Sequence, residues 1–335
     1  MAATQLNSIR DEAAAPRVRR WPLTLWIGLG IIFVCEGLLL VDVWRRGGAV
    51  VPEPVLPARG ALGCVARWVA VNMTVLCWVA YLLVFDGLLA GLARRRASPD
   101  IASIRRRPHR FLAAWLTSVP VWCWFDWVNF HFLDAWQYHG LPPQFWQRVG
   151  GYFVAFAAIS PGMFLAAQAL QGLGLKRLRT QGVRINRPVQ VLVFLMGLAF
   201  TVYPLLVRAP IGSLTLWVSL LFLLDPLNHW LGGPSIVGDW RAGRFGRTLS
   251  LMAGGAICGL LWELWNYWAL TKWTYKLPFL GDLEQYRYFE MPWLGFLGFL
   301  PFALECWVVL NTIIILIEKT GLRVVEPLAD EDTVL

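Results

Sequence analysis

The sequence predicts an all-α polytopic membrane protein: about eight transmembrane helices in two pseudo-repeated halves, with both termini cytoplasmic. Three observations carry this. The 335 residues are 57% hydrophobic and only 15% charged, where a soluble domain carries about 25% charged residues. Apolar runs of the length needed to cross a bilayer, roughly 20 residues each, recur along the chain. Finally, one spaced motif occurs twice in the same order.

Taken in order, the expected spans are 22–43, 68–92, 111–131, 149–171, 189–208, 213–232, 248–270 and 292–317. Residues 1–21 form a basic cytoplasmic segment with Arg17, Arg19 and Arg20, and the first run has no small-residue cleavage site, so it reads as an uncleaved span. The connection from Arg45 to Arg67 is rich in Pro and Gly and reads as an irregular loop. Residues 22–175 make the first membrane half, 176–188 a basic cytoplasmic linker, 189–318 the second half and 319–335 a cytoplasmic tail. Arg94–Arg96 and Arg105–Arg107 follow span 2. Lys176 to Arg187 follow span 4, Arg241 to Arg247 follow span 6, and Lys319 and Arg323 follow span 8. The positive-inside rule puts these connections and both ends in the cytoplasm. Arg45, Arg46, Arg59 and Arg67 in the first loop run against it.

The net charge of +9 is read as topology and as attraction to anionic lipid headgroups at the cytoplasmic face, not as nucleic-acid binding. The 20 Trp suit membrane interfaces, where an apolar ring with one polar N–H is at home. The six Cys form no CxxC pair and read as packing residues. The four His (His109, His131, His139 and His229) lack HxxxH or HxxHH spacing, so a di-iron or bis-His haem site is disfavoured and no metal is expected. There is no GxSxG, phosphate-binding loop or dinucleotide fingerprint. Gly255-x-x-x-Gly259 and Gly295-x-x-Gly298 read as close-packing stripes.

The repeated motif is acid-x-x-Asn-aromatic-x5-Trp-x-Tyr. Its first copy is Asp126, Asn129, Phe130, Trp136 and Tyr138; its second is Glu263, Asn266, Tyr267, Trp273 and Tyr275. The offset is 137 at every position, and Arg107 and Arg110 match Arg244 and Arg247 at the same offset. Asp86 matches Asp225 within two residues and Pro161 matches Pro301 within three. The copies begin four spans apart and share an orientation, so the halves should be related by an axis along the membrane normal.

An acid three residues before an Asn shares a helix face with it, and an ionisable group at hydrocarbon depth marks a functional site by default. Trp and Tyr around such a carboxyl would leave a neutral acid able to donate a proton. Glu263 is the first candidate for this role, followed by Glu305, thirteen residues past Pro292. Asp126, and Glu290 at the expected first turn of span 8, complete the candidate acids. Asn266 and Asn129 would orient them. Trp262, Trp265, Trp268, Trp273, Tyr275, Trp136, Tyr138 and the intramembrane Glu36 would bind the ligand. Glu36, Asp126, Glu263 and Glu305 are expected around one pocket. The alternative for each acid is a hydrogen bond that ties helices together.

The stretch from Arg105-Arg-Arg-Pro-His-Arg through Trp124-Phe-Asp126 to Trp136-Gln-Tyr138 resembles the membrane-integral lycopene cyclase domain of bacteria and fungi, as does Trp262-Glu263 to Trp273-Thr-Tyr275. Only Glu290-Met-Pro292 stands where that family has Pro-x-Glu-Glu-x-x-Phe-Phe. The resemblance implies acid-initiated rearrangement or hydration of an isoprenoid or other membrane lipid, in a multi-pass protein of the bacterial inner membrane, with no redox or nucleotide cofactor. A non-catalytic membrane subunit or scaffold, in a homo- or hetero-oligomer, and a transporter coupled to protons through Glu263 and Glu305 are the rival classes.

Overall fold

The computed structural model describes residues 20–50, 58–96, 103–328, 331 and 333–335. The expectations for Arg17, Arg19 and the rest of residues 1–19 lie outside the described residues. Eight helices are long and apolar enough to cross a membrane. They are α1 (Leu23–Arg45), α2 (Gly60–Arg96), α3 (Pro108–Val128), α4 (Phe145–Leu173), α5 (Arg187–Val207), α6 (Ser213–Trp230), α8 (Gly246–Tyr267) and α9 (Phe299–Glu318), with the short α7 (Ile236–Arg241) before α8.

The helix ends follow from local chemistry. Pro108 and Pro188 occupy the first turns of α3 and α5, where a missing N–H costs nothing. Asn186 caps α5 by accepting from the Val189 N–H at 3.2 Å, and Ser235 caps α7 by accepting from Gly238 at 3.0 Å. Gly47 and Gly48, at φ of 66° and 78°, end α1 in the left-handed region that only glycine enters freely.

Two boundaries differ from expectation. α2 starts at Gly60, within the connection read as irregular, and runs for 37 residues. At 1.5 Å per residue it is about 55 Å long, more than the hydrocarbon needs. Its first turns are Gly, Ala and Leu, compatible with a helix, and Arg67 in them pairs with Asp42 of α1 at 2.7 Å. In the last span, Trp293–Gly298 is a tight 3-10 turn and the α-helix begins only at Phe299. Glu290 is therefore not at a helix start but in the turn between the short strands Arg287–Tyr288 and Met291–Pro292.

α1 packs on α2, and α5 on α6; α4 and α9 are the most enclosed helices. Glycine permits the closest approaches. A Cβ on Gly87 of α2 would lie 2.4 Å from the Leu25 nitrogen of α1, and one on Gly197 of α5 would lie 2.2 Å from the Leu223 nitrogen of α6. Gly255 and Gly259 of α8 face Phe299 of α9 in the same manner. With no hydrophobic drive between helices in lipid, such backbone proximity supplies much of their association.

One end of the bundle carries two short strands, β1 (Trp136–His139) and β2 (Lys272–Tyr275). The other carries most of the arginines, and much of their charge is satisfied inside the protein. Arg247, 2% exposed, pairs with Asp239 at 2.5 Å and stacks over the Trp307 ring at 4.5 Å. Arg244 pairs with the same Asp239 at 3.0 Å. Arg110 is buried and donates to the Glu326 carbonyl at 2.6 Å. Asp86 accepts from the Ile104 N–H at 2.7 Å; Asp225 accepts from Ile236 at 2.6 Å and from Val237 at 2.8 Å. Each of these carboxylates holds the chain that leads into the following helix.

Two predictions follow from this packing. Gly87→Ala should cost about 1–3 kcal/mol by forcing α1 off α2, seen as a lower unfolding temperature in detergent. Gly30→Ala, at a position open to space, should not lower it. At the arginine end, Glu326 caps α3 through the N–H groups of His109 and Arg110 and through the His109 ring. Burial pushes its carboxyl up, but its own backbone N–H together with these donors outweighs it and holds it below its ordinary value. The stabilisation is thus full above the ordinary Glu value of about 4.3 and is lost as pH falls through the lowered one. Amide exchange at residues 109–110 should accelerate only on that acidic side.

Candidate functional site

The strand end is built by the two copies of the motif. In the first, the Asn129 carboxamide grips the strand that follows it: its oxygen accepts from the Ala135 and Trp136 N–H groups at 2.8 and 3.1 Å, and its nitrogen donates to the Trp136 carbonyl at 2.7 Å. In the second, Asn266 accepts from the Trp273 N–H and donates to the Trp273 carbonyl, both at 2.8 Å. Both Asn residues are fully buried. A side chain that satisfies a buried peptide on both sides fixes where the next residues point. Each Asn thus acts on its neighbouring acid mainly through the strand.

The acids take their bonds from those strands. Asp126 accepts from the Trp136 indole N–H at 3.0 Å and from the Tyr138 hydroxyl at 3.1 Å. Glu263 accepts from the Trp273 indole at 3.4 Å and from the Tyr275 hydroxyl at 2.8 Å. Each hydroxyl in turn accepts an indole N–H: Tyr138 from Trp122 at 3.0 Å, and Tyr275 from Trp273 at 2.8 Å. Each phenol oxygen thus links an indole N–H to its carboxyl. Burial, then the neighbouring carboxyl, holds the Tyr138 and Tyr275 phenols well above their ordinary pKa, so both keep their protons. The second oxygen of Glu263 has no hydrogen-bond partner.

β1 and β2 pair antiparallel, with Trp136 opposite Tyr275, Gln137 opposite Thr274 and Tyr138 opposite Trp273. Alternation along a strand puts the two Trp and two Tyr on one face. That face closes a cavity of about 430 Å3 between α3, α6, α8 and the 3-10 turn before α9. Trp122, Trp217 and Trp262 wall it from the helices, joined by Leu277, Met291 and Phe299. The Trp122 and Trp262 rings are 5.2 Å apart, and Trp217 lies 5.9 Å from Trp136. The volume and apolar lining suit a small hydrophobic molecule.

The structure brings Asp126, Asn129, Trp136, Tyr138, Trp262, Glu263, Asn266, Trp273 and Tyr275 to this one place. The carboxyls stand behind the aromatic row, and the phenols reach the cavity wall. The four acids expected around one pocket do not meet. Glu305 is fully buried but turned to α6, where it accepts from the Leu220 N–H at 2.6 Å and approaches the Ser219 hydroxyl at 3.5 Å. Glu36 is half-buried on α1 beside Trp265, which packs edge-on against Trp78 at 5.7 Å. Glu290 forms an ion pair with Lys272. Trp268 caps α8, its carbonyl accepting from Arg46.

Sequence reasoning missed Trp122 and Trp217. Trp122 lies one helical turn before Asp126, and Trp217 stands 139 residues after Trp78, the separation that also links Asp86 to Asp225; both signals were available. Among the described residues, no group of three or more His, Cys, Asp or Glu is placed to hold a metal ion. Neither a family model, nor a curated protein, nor a solved structure matches this chain.

Asn266→Ala should strand the Trp273 N–H and carbonyl, at about 1–3 kcal/mol for each orphaned group. Asn266→Asp keeps the acceptor and should cost less. Thermal unfolding of the two variants in one detergent checks the order.

Proposed function

We propose that the protein binds a hydrophobic lipid, an isoprenoid on the strength of the sequence resemblance, in the aromatic cavity and transfers a proton to it. The observation that carries this reading is the pairing of an apolar, aromatic-walled space with two phenol–carboxyl pairs at its edge. Glu263, protonated, would pass its proton to the Tyr275 oxygen as the phenol's own proton turns to a double bond lying against the wall, leaving the carboxylate and an intact phenol. The faces of Trp122, Trp217 and Trp262 would stabilise the resulting carbocation by cation–π attraction, at about 0.5–2 kcal/mol each. Loss of a proton from the adjoining carbon would return it to the pair and leave an isomerised or cyclised product; capture of water would give a hydrated one. Exclusion of bulk water is a condition of this chemistry.

The chain is read as two duplicated halves, α1–α4 and α5–α9, because Asp126, Asn129, Trp136 and Tyr138 make the same kinds of bond as Glu263, Asn266, Trp273 and Tyr275. Gln137 pairs with its own counterpart Thr274 at the centre of the strand ribbon, as a two-fold axis through that point requires. The arginine-rich end is read as cytoplasmic by the positive-inside rule, in a bacterial inner membrane. For Glu305 the bond to the α6 backbone favours a different role, that of tying α9 to α6.

The test is mass spectrometry of lipids that co-purify with the protein. A specific lipid enriched above bulk is expected, and its conversion should fall by about 10²–10⁴-fold in Glu263→Gln while the lipid is still retained. Retention of bulk lipid only would overturn the reading.

A further inference from the structure

A second cavity, of about 90 Å3, lies on the other side of the aromatic wall between α2, α3 and α4. Trp122, Tyr138, Trp262 and Trp273 line both spaces, so these four rings form a shared wall between them. The chemistry of the two differs. The larger is almost wholly apolar; the smaller is bordered by Asn72, Gln147, Arg148 and Lys272. Lys272 already has counter-groups, since it pairs with Glu290 and donates to the Tyr267 carbonyl at 2.8 Å. Arg148 pairs with no carboxylate among the described residues, and no acid lines this cavity.

Independent features add to the same polarity. α4 starts at Phe145 with no side-chain cap and no acidic residue in its first turn, and its Gln147 and Arg148 border the cavity. Uncapped N–H groups and the helix dipole favour an anion at such an end. The Trp262 indole N–H and the Thr74 hydroxyl, both on the cavity lining, have no hydrogen-bond partner. A buried donor left unmade is costly. A small cavity that offers donors and an uncompensated guanidinium, and no acid, is complementary to an anionic group rather than to more hydrocarbon.

We propose that the ligand is a single-chain lipid ending in an anion such as a phosphate monoester. Its head would sit at Arg148 in the smaller cavity, and its chain would reach the larger one past Trp122 and Trp262, whose rings, 5.2 Å apart, must part to admit it. This rests on the reading that the larger cavity holds hydrocarbon. The anchored head would set which carbon of the chain lies beside Tyr138 and Tyr275, making Arg148 a positioning and specificity residue.

Quenching of tryptophan fluorescence by farnesyl phosphate and by farnesol, with the full chain in zwitterionic nanodiscs, tests the assignment. The phosphate is expected to bind roughly 10- to 100-fold tighter than the alcohol, the range of one or two charge-assisted hydrogen bonds. Arg148→Gln should abolish that preference and leave farnesol affinity unchanged, which also reports that the variant is folded. Inorganic phosphate at the same concentration should not displace farnesyl phosphate. Equal binding of alcohol and phosphate to the unaltered protein would overturn the anionic head, and a preference that survives Arg148→Gln would overturn its placement at Arg148, each leaving the hydrocarbon site standing. Displacement by inorganic phosphate would show that the chain adds no affinity and would overturn the single-chain lipid. Binding of neither probe would overturn the hydrocarbon site itself.

Discussion

A carboxyl placed among apolar helices must find donors, and at the strand end of this protein those donors come from indole and phenol groups rather than from cations. Asp126 and Glu263 are each met by a Trp N–H and a Tyr O–H carried on a four-residue strand. Everything at the strand end depends on that arrangement. The Asn one turn later holds the strand in place, and the strand holds the donors against the acid. Because donors alternate along a strand, the same residues that satisfy the acids also turn four aromatic rings to one side. The cavity is the space those rings close over.

Pairing the two strands couples the halves of the chain. Trp136 lies opposite Tyr275 and Tyr138 opposite Trp273, so each half contributes one Trp–Tyr pair to a shared wall. Shifting the register by one residue would turn the two rings of the slipped strand away from the bundle and leave its acid without donors. Register, acid satisfaction and cavity shape are therefore one constraint. At the opposite end the arginines serve comparable ends: Arg110, Arg244 and Arg247 bind carbonyls and the carboxylate of Asp239 inside the protein.

Much of this was legible in the residues. The helices follow from run length, because hydrocarbon admits few other backbones. The acid, Asn, Trp and Tyr of each motif lie within thirteen residues of one another, close enough for spacing to reveal a unit. What spacing could not give is contact between units. The register of β1 on β2 joins residues more than 130 positions apart, and Trp217 reaches the wall from a helix whose facing direction no local pattern specifies. Glu305 read as a partner of Glu263 because depth along a helix is countable, whereas azimuth is not; it faces α6. Glu290 read as a helix-start carboxylate because Pro292 suits such a start, but a two-strand turn and a 3-10 segment intervene before Phe299.

The proposed chemistry requires hydrocarbon in the space enclosed by Trp122, Trp217 and Trp262, next to the Tyr138 and Tyr275 hydroxyls. The most direct measurement is a cryo-electron microscopy map of the protein purified into nanodiscs without added ligand. Elongated density running along that aromatic wall, within van der Waals reach of the three indoles, is the result expected. A cavity collapsed by its own side chains, or open to the lipid bulk with no ordered chain inside, would contradict it.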